Sequence, residues 1–177
     1  EWQKQGHNIR VAVNVSGAQF YQSDIVASVA RCLKETGLKP HNLELEVTES
    51  VFMDDINHTI ETLQRLHALG VELAIDDFGT GYSSLSYLKR FPVHYVKIDQ
   101  SFIRDLGSNP EDAAITRAII AMAHGLGLKV VAEGVESQVQ LDFLKSHHCD
   151  EIQGYLISPA LPALAFAQLL REQLAIG

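Results

Sequence analysis

Apolar residues fall along this chain in two alternating rhythms. Short runs rich in Val, Ile and Leu, namely "VAVNV", "LELEV", "VELAI", "YVKI", "KVVAE" and "EIQGY", have the length and β-branched character of strands. Between them apolar positions recur at helical spacing over Asp24 to Glu35, Ile56 to Leu69, Ser83 to Lys89, Asp112 to Leu126 and Ser137 to Ser146, and Pro162 opens a last helix, "ALAFAQLLREQLA". Gly37, Gly70 and Gly127 close three of these helices, and Pro92 follows a fourth. Such alternation predicts βα units around a parallel sheet. A TIM-like (β/α)8 barrel fits the repeat, and so does a flavodoxin-like doubly wound sheet, which needs fewer strands. Six units fall short of eight and would leave sheet edges bare, so the barrel reading expects an α/β barrel incomplete at the N-terminus, with the missing part supplied by a longer polypeptide. No Pro/Gly/Ser-rich linker interrupts the series, which makes residues 1–177 one domain.

The polar residues choose between the two architectures. Asn14, Glu46, the pair Asp76 and Asp77, Lys97 with Asp99, Glu133 and Gln153 each stand at the C-terminal end of a strand run. In a parallel barrel these ends converge on the face where active sites are built. Singly, an Asp after a strand is a helix cap or turn residue, and a lysine in a strand is a solvated edge residue. Independent caps would not fall at the same end of nearly every strand. Carboxylates and an amide oxygen without thiolate or imidazole suit a hard cation, Mg²⁺ or Mn²⁺. Adjacent carboxylates can serve two cations, one bridging both, and cations about 3.5–4 Å apart clamp the attacking and leaving oxygens of a phosphoryl displacement. Gly79 and Gly81 let the following loop turn tightly.

Composition narrows the field further. With 14 Lys and Arg against 22 Asp and Glu, a net charge of −8 disfavours a nucleic-acid polymer as partner. No apolar run reaches the roughly 20 residues of a membrane-spanning helix, so direct membrane insertion is not expected. Cys32 and Cys149 lack metal-type spacing and read as two reduced thiols, in keeping with a cytoplasmic location, free or as the cytosolic part of a membrane-anchored protein. The eight histidines show no HxH or HExxH spacing; His147 and His148 read as surface residues, and Asp54 and Asp55 as the acidic start of a helix.

"NVS" at 14–16, "ELEVTES" at 44–50, "DDFGTGYSSLSYLKRFPV" at 76–93, "KID" at 97–99, "AEGVE" at 132–136 and "QGY" at 153–155 together resemble the EAL family of bacterial phosphodiesterases, which open cyclic di-GMP to linear pGpG. The resemblance covers the chain in order. It implies a modified TIM barrel with two Mg²⁺ or Mn²⁺ ions. Asn14, Glu46 and Asp76 would hold one ion, and Asp76 would bridge to a second held by Asp77 and Glu133. It further implies that Lys97 orients the attacking water and offsets phosphate charge. Asp99 would orient Lys97, Gln153 would stand near the nucleophile, and Glu136 would support from outside the ligand set. Glu49 would anchor the loop after Asp77 and couple it to dimerisation. A homodimer and an upstream sensory or GGDEF-type domain are implied as partners.

Three departures accompany the resemblance. The Glu-Ala-Leu motif, whose glutamate is a further ligand of the first ion, does not occur here; the family places it well before "NVS", where this chain has 13 residues. His94 stands where the family often has Asp, either a charge change beside Lys97 that would alter regulation or a solvent-facing substitution. "QGYLISPALP" lacks the basic residue often found near the position of Pro159. Three functions compete: a metal-dependent cyclic di-GMP phosphodiesterase, a non-catalytic receptor for the dinucleotide, and an aldolase-like barrel using Lys97 as a Schiff-base amine. Retention of Asn14, Glu46, Asp76, Asp77, Lys97 and Glu133 favours the first over the second. An acidic surrounding keeps a lysine charged, which disfavours the third.

Overall fold

Parity along each strand divides the molecule into a helix-covered face and an interior. A computed structural model describes all residues except 1, 3–6, 23, 54, 82–84 and 175–177. Six strands, β1 (Val11–Val15), β2 (Leu43–Thr48), β3 (Glu72–Phe78), β4 (Tyr95–Ile98), β5 (Lys129–Ala132) and β6 (Glu151–Ile152), form one sheet in chain order. Every neighbouring pair is parallel. All six were expected from the apolar runs. A doubly wound sheet reverses its direction of growth at a switch point, and this order contains no reversal, so the flavodoxin-like alternative is excluded. The sheet is also curled. Laid flat, β1 and β6 would lie about 24 Å apart, five strand spacings. Yet Arg10, just before β1, reaches Glu151 on β6 at 2.6 Å. The architecture is that of a TIM-type α/β barrel with six of its strands described.

The connections are α1 (Gly17–Gln22), α2 (Ile25–Thr36), α3 (Ile56–Ala68), α4 (Leu85–Leu88), α5 (Gln100–Arg104), α6 (Pro110–Gly125), α7 (Gln138–Ser146) and α8 (Ala163–Leu174), with single turns of 3₁₀ helix at Pro40–Asn42 and Glu49–Met53. Local chemistry sets their limits. Asp24, Asp55, Asn109 and Ser137 accept a hydrogen bond from the first turn of α2, α3, α6 and α7, and Gly37 ends α2 at φ +67°. Asp55 is thus the expected helix-start acid, while Asp54 lies outside the described residues, as does the expected start of a helix at Ser83. The short helices α1 and α5 had no apolar period long enough to announce them.

One core fills the space between sheet and helices. Leu45, Val47, Leu73, Ile75, Val96, Ile98, Val130 and Ala132 meet Leu63, Leu66, Ile103, Ile120 and Leu144 there. Residues of the opposite parity point inward, and they stack in three levels. At the bottom Arg10 pairs with Glu44 at 2.7 Å and with Glu151, donates to the Tyr95 hydroxyl and lies over its ring. Tyr95 joins this level to the next, where it makes a small apolar plug with Ala74 and Val131. The acids lie on top.

Candidate active site

β3 answers how two neighbouring carboxylates can serve one site. In a regular strand Asp76 and Asp77 would point to opposite faces. Between Ile75 and Phe78 the register with β4 slips, and Asp77 adopts a left-handed φ of +54°. A bulge of this kind re-aims one side chain. Oxygens of Asp76, Asp77 and Glu133 consequently lie within 4.8 Å of one another. The strained turn is held from outside: Asp77 C=O accepts from the Thr80 hydroxyl at 2.8 Å, and buried Glu49 accepts from Gly79 N–H at 2.9 Å and Gly81 N–H at 3.2 Å. Gly81 leaves room for that carboxylate, since a Cβ there would come 2.9 Å from Glu49 Oε1.

Lys97 stands at the centre of the cluster, only 3% exposed. Its Nζ lies 2.7 Å from Glu46, 3.1 Å from Asp76 and 2.6 Å from Glu133. Burial by itself would push the ammonium towards deprotonation; hydrogen bonds and charge from Glu133 and Glu46 outweigh it and hold the pKa above its ordinary value. A lysine kept charged in this way is no Schiff-base nucleophile. Burial raises Glu133, partly offset by Lys97, and burial with the charges of Asp76 and Asp99 raises Asp77.

Two further groups bear on how this donor set fits a hard cation. Asp76 Oδ1 is buried without an aligned hydrogen-bond partner. The Asn14 carboxamide ends 3.2 Å from Glu46 Oε2 and 3.1 Å from Asp76 Oδ2. With its NH₂ turned to them it donates to both; with its oxygen turned in, it adds one more oxygen ligand. The all-oxygen set therefore fits Mg²⁺- or Mn²⁺-type ions.

The remaining expected residues lie around this cluster. Asp99 caps α5 through Ser101 N–H at 2.9 Å and is near enough to Asp77 to raise its pKa. Gln153 follows β6, its backbone tied to Ala132 and Val135 and its side chain exposed. Glu136 is exposed on the approach to α7, and its carboxylate makes no ion pair among the described residues. His94 corrects an expectation. Three residues before Lys97 means the opposite face of the strand, and the half-buried ring accepts from Leu73 N–H at 3.1 Å and stacks on His67. Burial lowers its pKa, so the ring faces Glu72 in its neutral form and lies away from Lys97. His147 is likewise half-buried against Phe143, whereas His148 is exposed. Both cysteines are free, as expected. The bottom level, Arg10, Glu44, Tyr95 and Glu151, went unrecognised in the sequence. Glu44 shares the parity of Glu46, which was the available signal.

Residues 1–160 match the family model described as EAL domain. The chain belongs to the EAL domain family. Cyclic di-GMP phosphodiesterase NbdA of Pseudomonas aeruginosa is 51% identical over 167 residues, 94% of this chain and 21% of that protein. Among solved structures, the PaMucR phosphodiesterase in complex with c-di-GMP superposes with a TM-score of 0.91 at 46% identity, covering 93% of this chain and 67% of the other. The EAL domain of Mycobacterium smegmatis DcpA gives 0.90 at 46%, covering 97% and 78%. Klebsiella pneumoniae BlrP1 in a manganese and cy-diGMP complex gives 0.81 at 33%, covering 89% and 41%. The chain spans about a fifth of the length of the curated relatives it matches. No helix among the described residues is long and apolar enough to cross a membrane. The barrel-type parallel sheet is that of the EAL fold.

Proposed function

We propose that this EAL chain carries the catalytic face of a phosphodiesterase that hydrolyses cyclic di-GMP to linear pGpG. The observation that carries the reading is the convergence of Asn14, Glu46, Asp76, Asp77 and Glu133 around a charged Lys97. The names of NbdA and of the PaMucR complex support the substrate, and the manganese complex of BlrP1 supports a divalent ion. Asn14, Glu46 and Asp76 would hold one Mg²⁺ or Mn²⁺, and Asp76, Asp77 and Glu133 a second. Two such ions supply Lewis-acid polarisation of the phosphate and a nucleophile at neutral pH.

The protein's own groups do the remaining work. Lys97 presents a fixed positive charge where negative charge develops on phosphorus oxygens, preorganised by Glu46 and Glu133. Asp99 and the clipped Gln153 flank the approach of water to one phosphate, and the P–O3′ bond on its far side breaks to give pGpG. Glu49 keeps Asp77 in its re-aimed position by holding the Gly79 to Gly81 turn, and Glu136 supports the β5 loop from outside the cluster. Residues 1–177 would then form the larger, C-terminal share of an EAL domain, since the chain covers 78% of the crystallised DcpA domain. A homodimer, an upstream sensory or GGDEF-type neighbour, for which the name of the bifunctional diguanylate cyclase/cyclic di-GMP phosphodiesterase MucR gives support, and a cytoplasmic working face complete the proposal.

The test follows cyclic di-GMP and pGpG chromatographically in Mg²⁺, in Mn²⁺ and with chelator. Metal-dependent appearance of pGpG, abolished by Asp76→Asn, is the expected result. Binding of the dinucleotide without cleavage in either metal would establish the receptor reading instead.

A further inference from the structure

We propose that Gln140, on α7 and outside the acidic cluster, is a positioning residue that fixes the geometry of Glu133, Asp99 and Gln153 through one loop. The inference deepens the metal-site reading and rests on it. Gln140 is 6% exposed and uses its whole hydrogen-bonding capacity. Its Oε1 accepts from Glu136 N–H at 2.7 Å and Ser137 N–H at 2.8 Å. Its Nε2 donates to the carbonyls of Ile103 at 3.2 Å and Arg104 at 3.1 Å. A capping box on α7 accounts for the bond to Ser137 N–H alone. The other three serve a different purpose: they tie the loop after β5 to the last turn of α5.

The same loop is fastened to the first turn of α5 as well. Gly134, at φ +67°, packs so closely on Gln100 that a Cβ there would come 2.7 Å from Gln100 Cβ. Since α5 begins immediately after Asp99, which caps it, two attachments lock Glu133 and Asp99 into one frame. A third reaches β6: Val135 N–H donates to Gln153 C=O at 3.0 Å, and Val135 C=O accepts from Leu156 N–H at 3.0 Å. Polar residues at the ends of β4, β5 and β6 thus share one rigid support with a buried amide at its base. Loss of that amide would leave the Glu136 and Ser137 N–H groups and the Arg104 carbonyl without these partners and free the loop to shift, while the Ile103 carbonyl would keep Leu106 N–H at 3.3 Å. Glu133, reaching both Lys97 and the other ligands, would shift with it.

The test titrates the intact chain with Mn²⁺ calorimetrically in four forms: unaltered, Gln140→Met, Gln140→Glu and Ser137→Ala. Outer residues that orient metal ligands typically change affinity by about 10–100-fold, and Gln140→Met is expected to weaken Mn²⁺ binding within that range. Ser137→Ala removes only the helix cap and is expected to lower Tm by about 2–4 °C with the Mn²⁺ affinity kept within about twofold. Gln140→Glu keeps the two acceptor bonds but cannot donate to Ile103 and Arg104, so an intermediate weakening is expected, and it decides by the same criterion where the Met form does not fold. Affinities of the Gln140 variants within about twofold of the unaltered chain would overturn the inference while leaving the metal centre standing. Absence of Mn²⁺ binding by the unaltered chain would overturn the metal centre, and the inference with it.

Discussion

Arg10→Met removes the cation beneath the acidic cluster and gives the most quantitative check on how this barrel is held. Glu44 is 3% exposed, and its Oε2, which has no aligned hydrogen-bond partner, is compensated by the Arg10 guanidinium 2.7 Å away. Taking one partner from a buried pair costs about 3–5 kcal/mol. Arg10 is itself 27% exposed in its side chain and Glu151 40%, so the second pairing contributes little and the expected total falls to about 2–4 kcal/mol. The pH dependence follows from Glu44. Burial already raises its pKa, and Arg10 is the largest influence opposing that rise. Without Arg10 the folded pKa climbs further above the unfolded value, so Glu44 costs stability wherever it must ionise. The variant's deficit should therefore be largest near about pH 8 and shrink as pH falls towards about 5, as Glu44 takes up a proton. Urea unfolding at the two pH values, with m-values unchanged, measures this directly. Arg10→Met with Glu44→Leu should recover more than half of the loss, because an apolar pair replaces the buried charge. A deficit under about 1 kcal/mol, or one of equal size at both pH values, would refute the reasoning.

Three shorter predictions follow from other parts of the molecule. If the proposed phosphodiesterase reading holds, Lys97→Met is expected to lower pGpG formation by about 10²–10³-fold without loss of secondary structure by circular dichroism, since an oriented charge would be removed from the reacting phosphate; retention of a tenth of the rate would contradict the role proposed for it. Gly154→Ala drives a Cβ into the backbone of Val135, which no rotamer change can relieve, and should cost about 3 kcal/mol or more in a thermal melt. Burial pushes the Cys149 thiol up to about 11, whereas Cys32 is exposed. Native alkylation near neutral pH should therefore label one thiol per chain quickly, confirmed by peptide mapping to Cys32.

Much of this was written in the order of residues. Six apolar runs became six strands because β-branched segments of that length have few other ways to bury themselves, and Asp, Asn, Ser and Gly set helix limits by satisfying the terminal backbone groups, a matter of a few neighbouring residues. The polar residues at strand ends could be gathered into one site by fold-level reasoning alone, because a parallel barrel brings those ends together. Other features needed the tertiary structure. Whether Asp77 joins Asp76 or points away depends on a bulge set by pairing with β4 and by the hold of Glu49 on the next turn. The half-buried setting of His94, against Leu73 N–H and the His67 ring, depends on how distant segments pack. Arg10 meets Glu151, and Gln140 meets α5, across separations of 141 and 37 residues. Local propensity carries no record of such contacts, since they exist only once the sheet has curled and the helices have packed against it. Composition and periodicity thus determined the strands, the longer helices and the end of the barrel at which the polar residues gather. Long-range register and burial decided which side chains meet there and what charge each one keeps.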